Sequence, residues 1–190
     1  MGIPCSNAPI VRASRTVSAA IPVSFLLLML TAVLGCFEGV RNQPTPMRSA
    51  PPLTASHALG LTDPARDASL RLVMTGLDED EAGRPGRARA RYQRAIRVDP
   101  TNPFAYLALA RHHLEAGSLD EASAFLDQAR TLFESEGRRG PGVDVWGFGL
   151  RAGIERGRGR DERADRLFEQ ARALAPEVWR DERLAPGELR

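Results

Sequence analysis

Residues 99–122, DPTNPFAYLALARHHLEAGSLDEA, carry the pattern from which the fold can be argued. Asn102 precedes Pro103, as Asp63 precedes Pro64 earlier in the chain, and this order places a capping side chain before a proline at the first position of a helix. The apolar run that follows ends near Gly117, a residue suited to the turn after a helix. Ser118 and Glu121 then match a capping box at the start of a second helix. The stretch therefore predicts a helical hairpin.

The same pattern returns on both sides of this stretch, with successive copies 34 and 42 residues apart. Six columns keep one kind of residue over three copies, which is hard to obtain by chance. The columns are Leu72, Tyr106 and Phe148; Gly76, Ala110 and Ala152; Gly83, Gly117 and Gly159; Ala88, Ala122 and Ala164; Tyr92, Leu126 and Phe168; and Ala95, Ala129 and Ala171. The longer second interval falls near residues 135–144, where Gly-Pro-Gly indicates an inserted loop.

The 34-residue period, the glycine turn and the Ala-x3-aromatic-x2-Ala spacing resemble the tetratricopeptide repeat. The resemblance covers about residues 69–178 and implies an all-α fold, a short α-α superhelix of about three helix-turn-helix repeats. Small residues would let antiparallel helices approach closely, and larger ones would fill the space between neighbouring pairs. We expect a C-terminal capping helix in which Val178 and Trp179 shield the last pair. Thr75 and Arg151 replace a leucine customary in the family, which predicts that the outer repeats are looser than the middle one and that the third is the least secure.

The N-terminal region has the features of a secretory signal. Arg12 and Arg15 precede an apolar run, and no acidic residue occurs before Glu38. The sequence Val-Leu-Gly-Cys that ends at Cys36 resembles the lipobox of bacterial lipoproteins. That resemblance implies cleavage before Cys36, acylation of its thiol by chains such as palmitate, and, because Phe37 follows rather than Asp, delivery to the outer membrane.

Three other interpretations of this region stay open. The apolar run is long enough for an uncleaved transmembrane helix, or it is an ordinary signal peptide with an incidental cysteine. The start of the chain also fits myristoylation of Gly2 with palmitoylation of Cys5.

These features divide the chain into a signal peptide, a tether, three repeats and a tail. The predicted bounds are 1–35 for the signal peptide, 36–62 for the lipidated cysteine and Pro-rich tether, 63–102, 103–136 and 145–178 for the repeats, 137–144 for the inserted loop, and 179–190 for the cap and tail. Prolines favour extended, disordered chain in the tether. Some 25 tether residues at about 3 Å each would hold the domain up to roughly 75 Å from the membrane.

Composition excludes several kinds of chemistry. All 26 basic residues are arginine, so no lysine is present for a phosphate loop or a Schiff base. Both cysteines precede the repeats, which excludes a disulfide framework for the fold. Without residues 1–35 the chain carries 24 basic and 24 acidic groups, so it has no net attraction to nucleic acid.

The resemblance implies a partner groove lined by the first helix of each repeat. The side chains it points to are Leu70, Val73, Leu77, Phe104, Leu107, Arg111 and Trp146. The set is mostly apolar and lacks the Lys and Asn residues of the family's carboxylate-clamp members, which favours an apolar segment or amphipathic helix as the partner. The alternative is that the tether or the C-terminal tail covers these side chains.

A second candidate surface is basic. Arg87, Arg91 and Arg94 recur at i, i+4 and i+7 and predict a stripe on the second helix of repeat one. The stripe is either a docking patch for anionic lipid, glycan or nucleic acid, or a solvated face balanced by the acidic run at residues 78–81.

No catalytic residue, metal site, cofactor or small-molecule substrate is expected. His112 and His113 are adjacent and point apart on a helix, so they cannot form the i, i+4 pair of a helical metal site, and we expect His113 to be packed.

The sequence thus predicts a non-enzymatic scaffold on the bacterial outer membrane that faces the periplasm and docks or assembles cell-envelope proteins through the groove. One alternative is an accessory subunit of an envelope enzyme or of a secretion or pilus assembly machine with an uncleaved transmembrane anchor. Another is a cytoplasmic, nucleic-acid-binding repeat protein.

Overall fold

A computed structural model describes residues 51–60 and 63–190, and within these ranges the chain forms six α-helices and no β-strand. The helices are α1 (Pro64–Glu81), α2 (Pro85–Val98), α3 (Pro103–Glu115), α4 (Leu119–Ser135), α5 (Pro141–Gly157) and α6 (Asp161–Leu174), with 3₁₀ helices at Ser56–Ala58 and Pro186–Leu189. The predicted all-α fold is confirmed.

The six helices form three antiparallel hairpins stacked side by side. Helix α1 pairs with α2, α3 with α4, and α5 with α6. The first helix of each hairpin also contacts the first helix of the next, and the second helix of each contacts the first helix of the following hairpin. This order is the α-α superhelix expected from the sequence, and it gives the stack one face lined by α1, α3 and α5.

The glycine column lies at the turns inside the hairpins. Gly83, Gly117 and Gly159 have φ angles of 67°, 74° and 72°, in the left-handed region. A side chain there costs about 1–2 kcal/mol, which explains why one residue type serves all three turns.

Two of the three predicted helix caps are present. The Asp63 side chain accepts a hydrogen bond from the Arg66 backbone N–H at 2.9 Å, and Asn102 accepts one from Phe104 N–H at 3.1 Å. The capping box predicted at Ser118 is wrong, because its side chain makes no capping hydrogen bond. Its ψ is 74°, compared with 162° at Asp63, so the hydroxyl is not aimed along the helix start.

Small residues bring paired helices into contact, as the columns predict. Gly76 of α1 lies against the buried Tyr92 of α2, and a Cβ at this glycine would come within 2.7 Å of Cδ1 of the tyrosine ring. Ala88 and Ala95, on either side of Tyr92, are completely buried. Because any larger residue would force the helices apart, the spacing of the hairpin depends on these positions.

The end of the chain caps the last hairpin. Trp179 is 1% exposed, and its ring lies 6.1 Å from that of Phe168, measured between centroids. It also covers Gly149, where a Cβ would overlap the indole ring. The predicted shielding by Trp179 is present, with Val178 partly buried beside it, although turns and a 3₁₀ helix form the cap in place of an α-helix.

The inserted loop is shorter than predicted. Helix α5 begins at Pro141 and so includes part of the loop assigned to residues 137–144. Gly137 and Gly140 have φ angles of 70° and 111°, so the connection from α4 to α5 needs left-handed backbone at two positions.

Candidate functional site

The concave face of the stack is closed in this structure. Its predicted groove residues are Leu70, Val73, Leu77, Phe104, Leu107, Arg111 and Trp146, and each is at most 5% exposed. They belong to one apolar core together with Ala55, Ala58, Leu184 and Leu189, which come from the two ends of the described chain, except that Arg111 contributes a charged group.

The N-terminal segment, residues 51–60, is attached to α5. Leu53 N–H donates to the Gly142 carbonyl at 2.9 Å, and the Trp146 indole N–H donates to the Leu53 carbonyl at 2.9 Å. Ala55 is completely buried. The sequence assigned these residues to the tether, whereas the structure makes them part of the folded domain.

The N-terminal segment pairs with the C-terminal segment, residues 176–190. Ala55 N–H donates to the Leu189 carbonyl at 3.1 Å, and Ser56 N–H donates to the Arg190 carbonyl at 2.8 Å. Arg190 forms an ion pair with Asp78 of α1, and the 3₁₀ helices of both segments pack on α1. The N-terminal segment and the C-terminal segment therefore occupy the concave face, which is the arrangement predicted as the alternative to an open groove.

Arg111 belongs to a buried polar cluster at the junction of the first two hairpins. The Asp80 carboxylate bonds to the Arg111 guanidinium, accepts a hydrogen bond from Tyr92 OH at 2.9 Å and lies 3.2 Å from His112 Nδ1. Arg111 also reaches the Leu184 carbonyl at 3.5 Å. The cluster therefore ties α1, α2 and α3 to the C-terminal segment.

The ionisation of Asp80 follows from these contacts. Burial by itself raises its pKa, but the hydrogen bond from His112, the charge of Arg111 and the hydrogen bond from Tyr92 together hold the pKa below the ordinary value. Burial, followed by the charge of Asp80, raises the pKa of Tyr92. Asp80 is therefore a carboxylate and Tyr92 a neutral phenol, which suits a structural crosslink.

His113 packs against Phe125, with ring centroids 5.2 Å apart, in the half-buried position expected for it. Burial, with the neighbouring charges of His112 and Arg89, lowers its pKa. Within residues 51–60 and 63–190 no group of three or more His, Cys, Asp or Glu side chains is placed to hold a metal ion.

The predicted arginine stripe lies on one side of α2. Arg87 and Arg94 are exposed and Arg91 is half-buried. The hydrogen bond from Arg84 holds the pKa of Glu79 below its ordinary value, and the charges of Arg87 and Arg91 act in the same direction.

The acidic run at residues 78–81 is engaged elsewhere. Glu79 is paired with Arg84, and Asp80 with Arg111. Asp78 and Glu81 both lie against Arg190. Of the four acidic residues, only Glu79 therefore offsets part of the positive charge of the stripe, and it does so without an ion pair to Arg87 or Arg91.

An open crevice lies between the second and third hairpins, and sequence reasoning missed it. Its volume is about 490 Å³, and its partly exposed apolar walls include Phe148 of α5 and Leu167 of α6. The buried side chains of Leu126, Phe133 and Trp146 lie beneath them. The charged residues that line it are Asp127, Arg130, Asp144, Arg151 and Arg163.

One of the residues that line the crevice departs from the repeat pattern. Arg151 stands 42 residues after the buried Leu109, in the same column. Its guanidinium does not fill the space; it bonds to Ser123 Oγ at 2.8 Å and to Asp127. Arginine at a repeat position where leucine is expected was the feature of the sequence that could have indicated this site.

Cys36, the predicted lipidation site, lies outside the described residues, as do residues 1–35 and the tether up to residue 50. Among the helices that the structure describes, none has the length and apolar character needed to cross a membrane.

Comparison with known families gives one match. A family model described as tetratricopeptide repeat matches residues 81–133, from the last residue of α1 into the last turns of α4. No curated protein and no solved structure matches the chain. Tetratricopeptide repeats generally act as scaffolds that bind proteins, so the match indicates a protein-interaction role for this part of the chain.

Proposed function

We propose that this protein is a non-enzymatic scaffold that an acylated Cys36 holds on the bacterial outer membrane, facing the periplasm, where it docks a cell-envelope protein. The observation that carries the docking role is the stack of three helical hairpins, part of which matches the tetratricopeptide repeat. The lipobox-like sequence that ends at Cys36 supports the anchor.

The crevice between the second and third hairpins is the proposed docking site. The concave face is filled by the N-terminal and C-terminal segments, whereas the crevice is open and its volume falls within the range of about 300–1,000 Å³ typical of ligand sites. Its walls are apolar and its rim carries charges of both signs, with Asp127 and Asp144 near Arg130 and Arg163.

The chemistry of the crevice selects its occupant. A rim of mixed sign complements an amphipathic helix with its own mixture of charges, and the apolar walls receive one or two large side chains from that helix. The partner is therefore an envelope protein that presents an amphipathic helix.

Because the N-terminal segment is folded, a shorter tether limits the distance between the membrane and the helical domain. Only 14 residues, 37–50, separate Cys36 from Pro51. Even fully extended they span at most about 50 Å at about 3.6 Å per residue, well short of the roughly 75 Å expected from a longer tether. The proposed anchor therefore keeps the domain close to the membrane.

The anchor is tested by metabolic labelling with a fatty acid and by membrane fractionation of Cys36→Ser. The variant is expected to lose both the label and its place in the membrane fraction. Cys5→Ser is the matched control and retains both. Loss of label in Cys5→Ser alone would instead support acylation near the start of the chain, and membrane retention of an unlabelled Cys36→Ser protein would support a transmembrane helix.

The docking site is tested by placing a photo-crosslinking residue at Leu167, on the crevice wall, or at Glu162, an exposed residue of the same helix that does not line the crevice. A single adduct with an envelope protein is expected at position 167 only. Phe148→Asp, introduced together with the crosslinker, is expected to remove that adduct while helicity stays unchanged. Equal adducts at both positions, or an adduct that survives Phe148→Asp, would contradict this site.

A further inference from the structure

Helix α2 carries the strongest charge asymmetry in the domain. Residues 85–98 include five arginines and no acidic residue, whereas residues 51–190 as a whole contain 22 arginines and 23 acidic residues. The positive charge on this one helix is therefore balanced by acids that lie elsewhere, and α2 presents a local positive field.

The stripe continues into an exposed apolar residue. Val98 follows Arg87, Arg91 and Arg94 at the next position of the same helical row, i+11, and is 38% exposed. It is the most exposed large apolar side chain among the residues the structure describes. The three arginines have no ion-pair or hydrogen-bond partner within that part of the chain, since Glu79 is taken by Arg84.

The stripe ends on the side of the domain from which the tether leaves. Helix α2 finishes at Val98, next to the start of α3 at Pro103, and the first helices of all hairpins run in the same direction. The N-terminal segment joins the domain at the start of α5, where the Pro51 carbonyl lies against Gly142. Val98 and Pro51 are therefore at the same end of the stack.

We propose that the face formed by Arg87, Arg91, Arg94 and Val98 lies against the surface of an anionic phospholipid bilayer. The proposal rests on the membrane tether of the proposed function and adds the orientation of the domain on that membrane. Each arginine near an anionic surface strengthens binding roughly fivefold, so the three together supply about a hundredfold. Val98 adds an apolar contact in the headgroup region, which a bilayer accommodates and a nucleic-acid backbone does not.

A tether of at most about 50 Å makes this contact intramolecular in effect, because it keeps the stripe at a high local concentration near the lipid. A weak patch is then enough to orient the domain. With α2 against the bilayer, the crevice between the second and third hairpins remains clear of the lipid, since none of its lining residues comes from α2.

The test is arginine footprinting of the full-length protein with phenylglyoxal on vesicles of phosphatidylcholine alone or with one-quarter phosphatidylglycerol. Modification is followed by mass spectrometry. On the anionic vesicles Arg87, Arg91 and Arg94, with the neighbouring exposed Arg97, are expected to react at least fivefold more slowly than on neutral vesicles. Arg166, exposed near the start of α6 at the opposite end of the stack, is expected to be unchanged. In 1 M salt, where the screening length is about 3 Å, the protection is expected to disappear.

Two variants with equal charge loss sharpen the result. Replacing Arg87, Arg91 and Arg94 together with Gln is expected to abolish the protection of the neighbouring Arg97, and the matched variant with Gln at Arg130, Arg139 and Arg180 is expected to preserve protection at the stripe. Equal reactivity of the stripe on both vesicles, or equal protection of Arg166, would overturn the proposal. Protection found only in intact envelopes would overturn it in favour of an acidic protein partner.

The experiments distinguish failure of the proposed orientation from failure of the proposed lipid anchor. A labelled, membrane-bound protein whose stripe reacts freely on anionic vesicles refutes the orientation and leaves the lipidated Cys36 standing. An unlabelled protein whose stripe is protected on added anionic vesicles refutes the anchor and supports the surface.

Discussion

Replacement of Gly149 by alanine is expected to destabilise the protein because Gly149 contacts Trp179. Helix propensity alone predicts the opposite effect. Alanine in place of a glycine inside a helix normally stabilises by about 1 kcal/mol. In this structure a Cβ at Gly149 would lie less than 3.0 Å from three atoms of the Trp179 indole, so the ring would have to move.

The magnitude follows from what the ring would lose by moving. Trp179 is 1% exposed and packs on Phe168, and loss of a buried tryptophan's contacts costs about 3–5 kcal/mol. Subtracting the helix gain of about 1 kcal/mol gives an expected destabilisation of about 2–4 kcal/mol for Gly149→Ala if the ring is expelled.

Gly147→Ala is the matched control, since it lies on the same helix and nothing lies within 4 Å of its Cβ position. It is expected to stabilise by about 1 kcal/mol. Urea denaturation of the full-length protein, followed by far-UV circular dichroism, measures both. If Gly149→Ala were as stable as Gly147→Ala, the packing of Trp179 on α5 would be refuted.

Three further predictions follow from polar contacts that are buried or partly buried. Ser69 is completely buried, donates to the Ala95 carbonyl at 2.8 Å and accepts from Asn102 at 2.8 Å. Ser69→Ala is therefore expected to lower the free energy of unfolding, measured by urea denaturation, by about 1–3 kcal/mol. Thr75→Ala, at an exposed position, is expected to change that free energy by less than about 0.5 kcal/mol. The folded protein lowers the pKa of Asp80, so the stabilisation from this carboxylate is present above its unfolded pKa of about 3.9 and is lost as pH falls through the lower folded pKa. The melting temperature of Asp80→Asn should therefore fall less between pH 5 and pH 3 than that of the wild type. An equal fall would contradict the contacts assigned to Asp80. Trp146→Phe removes the donor to the Leu53 carbonyl and should speed amide hydrogen exchange at residues 53–56 about tenfold, with unchanged exchange marking the N-terminal segment as independent of α5.

Much of the helical stack was predictable because its determinants repeat at regular intervals. Alanine pairs and bulky residues recur wherever one helix meets the next, and glycine recurs at each left-handed turn. Asp63 and Asn102 cap their helices because each has an extended backbone and precedes a proline at the first position of the helix. Ser118 failed because a capping box also requires that entry geometry, and the glycine turn before it imposes another one.

The crevice was only partly visible in the sequence. Arg151 in a leucine column indicated looser packing of the third repeat, and this departure from the pattern could be read without coordinates. Which way its guanidinium turns was not readable, since that depends on Ser123 and Asp127 of the preceding hairpin. An open space with defined walls appears only when three helices are in place.

The sequence by itself determined the helices, their turns and their order of stacking, because these arise from short-range preferences and from a period that repeats along the chain. Only the tertiary structure decided that the concave face is filled by residues 51–60 and the C-terminal segment. The contacts responsible join Leu53 to Gly142 and residues 55–56 to residues 189–190, and they are backbone hydrogen bonds between distant segments. Every residue except proline offers the same backbone N–H and C=O groups, so such pairing leaves no periodic or compositional mark.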